Sequence, residues 1–212
     1  AFAADQAPQK WDQTVDLLVV GAGGAGLASA VSAAQHGVKN IVVLEKMPFF
    51  GGNTSISGGG FNSVDPVRQG KQKIKDSPEL HARQTIAGGD GRANPELVKT
   101  MTANSYDAIK WLQDMGMKFK DDVYQIYGGL YPRCHAPYGS LGSDYIKVLK
   151  PQCDKEGINI LTNSRVVRIF RENQLSGKVL GVEYVDKDGQ HKTVKAQKAV
   201  IVATGGFGAN PE

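Results

Sequence analysis

The sequence is poor in cysteine and has no long apolar run. Only two cysteines, Cys134 and Cys153, are present, so neither the cysteine pairs of a zinc site nor a CxxCH haem-attachment motif occurs. No apolar stretch approaches the roughly 20 residues of a transmembrane helix. We therefore predict no metal site and no membrane insertion, and no feature of the sequence supports a disulfide between the two cysteines.

A large excess of one charge is also missing. The sequence has 25 Lys and Arg residues and 21 Asp and Glu residues, a net charge of +4 at pH 7. Its basic run, Arg68, Lys71, Lys73 and Lys75, lacks the interleaved aromatic side chains of a nucleic-acid-binding surface. We interpret this run as a solvated loop and expect no nucleic-acid partner.

Residues 1–5 read Ala-Phe-Ala-Ala-Asp, which is similar to the small-residue end of an export signal. We expect residues 1–13 to be a disordered lead or signal remnant, and residues 14–212 to form the folded domain. A periplasmic location follows from this interpretation. The alternative is that the chain begins at an arbitrary point ahead of a polar segment.

Residues 15–45 have the pattern of a strand, a helix and a second strand. Val15–Val20 is a nearly continuous apolar run, typical of a strand that is buried on both faces of a parallel sheet. Ala25–Gln35 carries apolar side chains at helical spacing, and Gly37 is placed to end that helix. Ile41–Glu45 is a second apolar run. A right-handed crossover sets two such strands side by side.

The rest of the chain predicts further helices and strands. Residues 77–79 and 94–96 each combine a capping side chain, a proline and an acid, so helices should begin there, the second ending near Gly116. Pro151 should kink or shorten a helix over 143–156. Strands are predicted at 158–162, 165–171, 179–186, 191–196 and 199–203, with a hairpin turn at 186–189.

Residues 21–26, Gly-Ala-Gly-Gly-Ala-Gly, match G-x-G-x-x-G between the first strand and the first helix. Gly21 allows a tight turn, Gly23 lets a pyrophosphate approach the backbone, and Gly26 lets the helix and strand pack closely. Glu45 at the end of the second strand can accept hydrogen bonds from ribose hydroxyls and would repel the 2′-phosphate of NADP. We predict a dinucleotide site, for FAD or NAD.

Other motifs extend this pattern over most of the chain. They are Val19–Leu27, Leu44-Glu45-Lys46, Gly51-Gly52-Asn53-Thr54, Gly58-Gly59-Gly60 and Ala203-Thr204-Gly205-Gly206-Phe207. In combination they resemble the flavoprotein subunit of the fumarate reductase and succinate dehydrogenase family, above all the soluble flavocytochrome c fumarate reductases. The resemblance covers residues 14–212 and implies an α/β fold. This is a Rossmann-like FAD-binding domain with a parallel sheet, an inserted β-meander and helices, and with the family's capping domain outside this chain.

The resemblance implies FAD as the cofactor, with its ribose on Glu45 and its pyrophosphate near Gly23 and Gly24. The glycine-dense segment 51–60, which we expect to lack regular structure, would supply the close backbone approach and amide donors that a flavin ring needs. Asn53 stands where membrane-bound relatives have a histidine linked to FAD, so we predict non-covalent FAD. The implied contacts are Gly21, Gly23, Gly24, Ala25, Gly26, Glu45, Lys46, Gly52, Asn53, Thr54, Gly58, Gly59, Val167, Ala203, Thr204 and Gly205, the last four enclosing the adenine side.

No catalytic residue is predicted in this chain. In the family, the histidines and arginines that hold the substrate, including the arginine that delivers the proton, follow the segment that begins at Ala203, and we expect them beyond Glu212. Arg133, Cys134 and His135 are reactive residue types in a predicted loop, but we interpret them as structural or solvated. We interpret four tyrosines as packing residues around that loop rather than as an aromatic substrate cage. They are Tyr124, Tyr127, Tyr131 and Tyr138.

The resemblance also implies an activity. It predicts an oxidoreductase that reduces the C=C bond of an unsaturated carboxylate, such as fumarate, methacrylate or urocanate, by hydride transfer from flavin N5. A separate c-type cytochrome is the expected electron donor, since the sequence has no haem motif. Two alternatives stay open: a related dehydrogenase that oxidises succinate or 3-ketosteroids, and a flavin-binding fragment that is catalytically silent by itself.

Overall fold

The computed structural model describes residues 7–139, 141–173, 176–206 and 208, and the chain divides into two compact units. Unit 1 comprises residues 1–55 and 149–212, and unit 2 comprises residues 56–148. The described helices are α1 (Gly24–Gln35), α2 (Gly52–Ile56), α3 (Pro66–Lys71), α4 (Pro78–Gly88), α5 (Pro95–Asp114) and α6 (Ser143–Lys155). The described strands are β1 (Gln13–Val20), β2 (Ile41–Leu44), β3 (Phe61–Asn62), β4 (Phe119–Tyr124), β5 (Cys134–Pro137), β6 (Asn159–Leu161), β7 (Arg165–Arg171), β8 (Val179–Val185) and β9 (His191–Val202). None of the described helices is both long and apolar enough to cross a membrane.

Unit 1 contains a six-stranded sheet in the order β6-β2-β1-β9-β8-β7. Strands β6, β2, β1 and β9 run parallel, and β8 and β7 continue the sheet as antiparallel strands. The predicted turn at 186–189 joins β8 to β9, with Gly189 at a φ of +75°. The α/β fold with a parallel sheet and a β-meander is therefore confirmed.

The first strand, helix and second strand also agree with their prediction. Leu17–Val20 pair in parallel with Ile41–Leu44, and all eight side chains are buried. Gly37 follows α1 with a φ of +89°, and its N–H donates to Ala34 O at 2.9 Å. A residue without a Cβ adopts this left-handed conformation readily, so Gly37 ends the helix as predicted.

The last predicted pair of strands is a single strand instead. The sequence predicts strands at 191–196 and 199–203, whereas β9 runs without a break over His191–Val202. Its pairing with β1 shifts register between Ala196 and Ala199. The prediction of two strands is wrong because a bulge accommodates the two polar residues between these alanines without ending the strand.

Two local features differ from expectation. The segment 51–60 is not wholly irregular: α2 forms there because five consecutive non-glycine residues follow Gly52, and Ser55 N–H donates to Gly51 O at 3.2 Å. Of the two effects predicted for Pro151, shortening is wrong, since α6 includes Pro151 and continues to Lys155. Pro151 is exposed, so its ring meets solvent rather than a packed neighbour.

The N-terminal lead is described from residue 7 onward, and residues 1–6 lie outside the described residues. Trp11 packs edge-to-face on Phe170 of β7, with 5.5 Å between the ring centroids. Asp12 Oδ2 accepts a hydrogen bond from Thr193 N–H at 2.7 Å. The end of the lead is therefore tied to the β-meander of unit 1.

Unit 2 combines helices with a three-stranded antiparallel sheet in the order β3-β5-β4. Helices α4 and α5 begin as predicted, because the side-chain oxygens of Ser77 and Asn94 accept hydrogen bonds from first-turn amides. A proline follows each cap in the first helical position. Helix α5 ends at Asp114, and Gly116 follows with a φ of +100°.

The basic run of unit 2 is not simply a solvated loop. Arg68 and Lys71 lie on α3, and Arg68 Nη1 donates to the buried Asp65 carboxylate at 2.8 Å. Lys73 and Lys75 follow the helix and are exposed. The loop interpretation is wrong for Arg68, because its guanidinium forms an ion pair with the buried carboxylate of Asp65 at the N-cap of α3.

Candidate functional site

Two glycines in the turn between β1 and α1 are required by the packing of the protein itself. Gly21 has a φ of +104°, and a Cβ built on it would lie 2.5 Å from Ala203 O. A Cβ on Gly26 would lie 1.9 Å from Gly21 O. Helix α1 can therefore approach the turn only because Gly21 and Gly26 have no Cβ.

Gly23 differs, because nothing in the protein requires its side chain to be missing. Its φ of −78° and ψ of −176° are open to any residue. A Cβ built there would meet only Gly51 O, at an unstrained 3.9 Å. The space that a side chain would fill lies open at the N-cap of α1, where helix amides attract anions. We call this open space at Gly23 the cradle, and it fits a pyrophosphate that contacts the backbone.

Glu45 follows β2 directly and is 7% exposed. Its Oε2 accepts a hydrogen bond from Ala22 N–H at 2.8 Å, and its Oε1 accepts one from Met47 N–H at 2.9 Å. The carboxylate therefore holds the glycine turn against the end of β2. Each oxygen keeps one lone pair, so the group can still accept hydrogen bonds from ribose hydroxyls.

The start of the second glycine segment lies against the same turn. Thr54 Oγ1 accepts a hydrogen bond from Gly24 N–H at 3.1 Å, and Gly51 N–H donates to Ala22 O at 2.7 Å. Gly52 has a φ of +49° and is exposed. Gly51 and Thr54 are thus fixed beside the N-terminus of α1. The sequence did not predict Gly51 as part of the site, although its pairing with Gly52 is the signal of a close backbone approach.

The segment after β9 also reaches the turn. Ala203 N–H donates to Val20 O at 2.8 Å, which extends the pairing of β9 with β1 by one residue. Thr204 Cα lies 3.3 Å from the position of a Cβ on Gly21. Gly205 is exposed, and Phe207 of the same motif lies outside the described residues.

Two other predicted contacts stand apart from these residues. Val167 lies on β7 at the edge of the sheet, and β8 and β9 separate that strand from β1. Its side chain is 43% exposed. Lys46 is exposed immediately after Glu45. The structure gathers the turn, Glu45, Thr54 and Ala203, but it does not bring Val167 to them.

In unit 2, Gly58 is exposed and a Cβ on it would meet no atom within 4 Å. Gly59 is buried with a φ of +72°. A Cβ on Gly59 would lie 2.8 Å from Leu141 C and from Gly142 N. The two neighbouring glycines therefore differ, since only Gly58 leaves open space.

His135 is buried in β5 rather than placed in a loop as predicted. Its Nε2 lies 3.1 Å from Asp65 Oδ2, and its Nδ1 lies 3.1 Å from both Phe61 O and Arg133 O. These contacts on both sides of the ring fix its orientation. The loop prediction is wrong because the neighbours that fix His135 lie far away in the sequence. Its role is structural.

The two cysteines are both free and buried. Burial raises the pKa of the Cys153 thiol to about 11. The sulfur of Cys134 lies against Gly60, where a Cβ on the glycine would come within 2.6 Å of it. Both thiols are therefore enclosed by the fold.

The interpretation of the four tyrosines as packing residues is wrong for most of them. Tyr127 is fully exposed, Tyr138 is 71% exposed and Tyr124 is 42% exposed. Tyr131 is anchored, since its hydroxyl donates to Lys75 O at 2.6 Å. Glycines on the C-terminal side of Tyr127 supply no side chains to cover it, which explains its exposure.

Comparison with known proteins extends these observations. Residues 16–212 match a protein family described as an FAD binding domain. The fumarate reductase (cytochrome) of Shewanella frigidimarina is 37% identical over 201 residues, which cover 94% of this chain and 34% of that protein. The urocanate reductase of Eggerthella lenta is 38% identical over 216 residues, which cover 99% of this chain and 34% of that protein.

A solved structure shows the same fold. The open conformation of a flavocytochrome c3 fumarate reductase superimposes with a TM-score of 0.86 at 33% identity, covering 94% of this chain and 35% of that chain. The chain thus spans about a third of the length of the relatives it matches. These matches confirm the resemblance that the motifs indicate and FAD as the cofactor.

Proposed function

Because the chain belongs to the family of FAD binding domains, we propose that it forms the FAD-binding part of an oxidoreductase that reduces the C=C bond of an unsaturated carboxylate. The relatives that match it along most of its length are named for the reduction of fumarate and of urocanate. Both compounds carry a double bond conjugated to a carboxylate, and this shared chemistry supports the substrate class.

Different residues of this chain are proposed to contact different parts of FAD. The turn at Gly21–Gly26 suits the pyrophosphate, and Glu45 suits the adenosine ribose because its oxygens keep free lone pairs. Asn53 has an amide side chain that cannot form the covalent flavin link, so FAD should be dissociable. Gly58 and Gly59 are proposed to lie along the flavin ring. When bound, FAD supplies a hydride donor for the double bond and accepts electrons from a carrier.

The observation that carries the proposal is the open space at Gly23. Gly21 and Gly26 are explained by the protein's own packing, whereas the conformation and surroundings of Gly23 tolerate a side chain. A ligand that comes against the backbone gives a reason for glycine at this position. An anionic ligand is favoured there, because the N-terminus of α1 carries a partial positive charge.

The electron donor and the location are part of the same proposal. A c-type cytochrome is the proposed donor, and it is supported by the relative named fumarate reductase (cytochrome). The periplasm is the proposed location. Reduced cytochrome c should then bleach the flavin absorbance of the holoprotein. Bleaching by NADH and not by any c-type cytochrome would contradict this donor.

The first test is the colour of the protein and the variant Gly23→Ala. Purified protein should be yellow and release FAD on acid treatment. Gly23→Ala should weaken FAD binding at least tenfold in a fluorescence titration, because the new Cβ occupies the space of the ligand. Its free energy of unfolding should stay within about 0.5 kcal/mol of the parent protein, as at sites without strain.

Gly70→Ala is the matched control, since a Cβ on this α3 glycine meets no atom within 4 Å. It should leave FAD affinity unchanged. Equal FAD affinity of the Gly23 variant and the control would refute the cradle, and a colourless protein that retains NAD would refute the flavin assignment.

The reaction itself is tested with the complete polypeptide. Reduced viologen dye should be oxidised when fumarate, methacrylate or urocanate is added, with the saturated acid as product. Faster turnover with an oxidising dye and succinate or a 3-ketosteroid would instead favour the dehydrogenase alternative. Assays of residues 1–212 with and without the remaining polypeptide show whether this part is silent by itself.

A further inference from the structure

One face of α4 lines a cleft of about 200 Å³ that belongs wholly to unit 2. Residues on one side of a helix recur at spacings of three and four, and those of α4 in the cleft do so: they are His81, Gln84, Thr85 and Gly88. The rest of the lining comes from Asn62, residues 128–131 and Arg133. None of the described residues in this lining is acidic, and Arg133 carries a positive charge.

His81 reaches the cleft with an unpartnered ring. The residue is 5% exposed, and its Nδ1 is buried without a hydrogen-bond partner in the described part of the chain. Nε2 has no recorded partner there either, but it is not a buried atom, so it is the ring nitrogen that a ligand can meet. Unpaired polar atoms in the interior cost stability. Packing therefore does not explain a histidine at this position.

Gln84 presents hydrogen-bond donors to the same cleft. Its Oε1 accepts a hydrogen bond from Arg133 Nη1 at 2.7 Å. Because a guanidinium can only donate, this bond fixes which end of the amide is the oxygen. The two N–H groups on Nε2 have no acceptor among the described residues. The open end of the Gln84 amide is therefore a donor.

Arg133 adds further donors from a fixed position. Its guanidinium has five N–H groups. Asp76 accepts from two of them and Gln84 from one, so one N–H on Nη1 and one on Nη2 are left without an acceptor in the described ranges. Arg133 is 4% exposed, and its guanidinium carbon lies 4.8 Å from the centroid of the Tyr131 ring. The donors are thus held in place before any ligand arrives.

The charge around the cleft favours an anion. Burial lowers the pKa of His81, and Arg133 lowers it further, whereas Asp76 raises it by less. The potential at the ring is therefore positive, although Arg133 and Asp76 form an ion pair. Leu130 and the neighbouring glycines also line the cleft and bring an uncharged surface. An anionic group with a short apolar tail suits this combination.

We propose that the cleft binds a short-chain carboxylate whose oxygens accept hydrogen bonds from His81, Gln84 and Arg133. A carboxylate has two oxygens with about four lone-pair sites, and it is an acceptor only, which matches a lining rich in free donors. Since a water molecule takes roughly 30 Å³ of liquid, the volume of the cleft leaves room for the head group and a tail of a few carbon atoms. This inference goes beyond the proposed function, because neither FAD nor its redox chemistry enters it.

Butyrate is the probe, and uncharged butyramide of the same size is its control. Titration of the complete polypeptide with butyrate should shift the ring C–H resonances of His81 in a saturable way, measured by NMR with isotope-labelled histidine. Isothermal titration calorimetry should give the same midpoint. Butyramide should bind at least tenfold more weakly. Equal binding of butyramide, or tighter binding of inorganic phosphate, would overturn the assignment to a carboxylate.

Gln84→Glu tests the donors directly. The variant keeps an oxygen for Arg133 but replaces the two N–H donors with a negative charge, so butyrate should bind at least tenfold more weakly. Gln113→Glu is the matched control, since it makes the same charge change at an exposed position of α5. It should bind butyrate like the parent protein. His81→Leu should weaken binding about three- to tenfold, as expected for the loss of one hydrogen bond.

The outcomes separate this site from the proposed function. Parent affinity for butyrate in both Gln84→Glu and His81→Leu would overturn the site. Should the Gln84 variant fail to fold, the parent protein decides, because His81 resonances that butyrate does not move would overturn the site as well. FAD binding is measured in the same samples. A protein that binds butyrate at His81 but no FAD would overturn only the proposed function.

Discussion

The two compact units bury different kinds of side chain. In unit 1 the buried side chains are almost all apolar, with Glu45 and Ser164 as the buried polar residues among those described. Unit 2 holds the other described residues of this kind, which are Ser63, Asp65, Gln69, His81, Thr102, Ser105, Arg133 and His135. The first unit therefore buries apolar side chains almost alone, whereas the second buries polar side chains beside its apolar ones.

The clearest example in unit 2 is the ion pair between Arg133 and Asp76. The guanidinium donates from Nε to Oδ2 at 2.8 Å and from Nη2 to Oδ1 at 2.7 Å, and its Nη1 donates to Gln84 at 2.7 Å. Burial by itself would raise the pKa of the Asp76 carboxyl, but hydrogen bonds from Arg133, Gln69 and Ser77 outweigh it and lower the pKa. A buried pair of this kind tolerates the loss of one partner poorly.

The difference between the units bears on the proposed function. Unit 1 leaves open space at Gly23, beside the N-terminus of α1. Unit 2 instead fixes Gly59 through the side chain of Tyr145. Substitutions should therefore disturb the two units through different forces.

The largest expected effect is in unit 2. Arg133→Met keeps much of the volume but leaves Asp76, whose side chain is 1% exposed, as an uncompensated buried charge. We expect a loss of about 3–5 kcal/mol in the free energy of unfolding, measured by urea denaturation. Lys99→Met, which breaks the exposed pair with Glu96, should cause no measurable loss. Equal stability of the two variants would show that unit 2 does not depend on its buried pair.

A smaller effect is expected in unit 1. Gly26→Ala places a Cβ 1.9 Å from Gly21 O, which is backbone and cannot move aside without shifting α1 from β1. We expect a loss of about 3 kcal/mol, at the upper end for overpacked sites, in the same denaturation experiment. Gly23→Ala is its control and should unfold like the parent protein. Unchanged stability of the Gly26 variant would contradict the close approach of helix and strand.

The smallest expected effect is a pH dependence in unit 2. Burial, helped by nearby Arg133, lowers the pKa of His81, and within the described residues its buried Nδ1 has no partner. The unfolded chain binds this proton below about pH 6.5 and the folded protein resists it, so stability should fall as the pH decreases through this range. The slope is at most about 1.4 kcal/mol per pH unit.

His81→Leu should remove this slope and preserve stability at pH 7, because no hydrogen bond of Nδ1 is lost. His36→Leu, at an exposed histidine after α1, should retain the slope. The slope of each variant is measured from its denaturation midpoints at pH 5, 6 and 7. A slope that persists in the His81 variant would assign the effect to another group.

Prediction from sequence was most successful in unit 1, where the signals are local. Continuous apolar runs indicated β1 and β2. In unit 2 the local signals also succeeded, since capping residues indicated the starts of α4 and α5. The three-stranded sheet of unit 2 was not predicted. Strand β4 carries Lys120, Asp121 and Asp122 in its middle, and β5 ends on Pro137, so neither has the pattern of a strand.

The same contrast applies within the candidate site. The spacing of the glycines and of Glu45 indicated the turn and the place of Glu45 at the end of the second strand, because that motif is contained in one strand, one helix and the next strand. The bond from Thr54 to Gly24 and the separation of Val167 from the turn were not predictable. Both depend on how distant segments of the chain meet.

By itself, the sequence determined that a glycine turn between the first strand and the first helix follows the apolar run, because apolar periodicity and residues without a Cβ act over a few neighbouring positions. Only the tertiary structure decided which glycines serve the fold and which leaves space for a ligand, since that depends on distances to Ala203 and Gly51. It likewise decided the polar partners of unit 2. Arg133 and Asp76 are 57 positions apart, and no local rule of chain conformation can pair them.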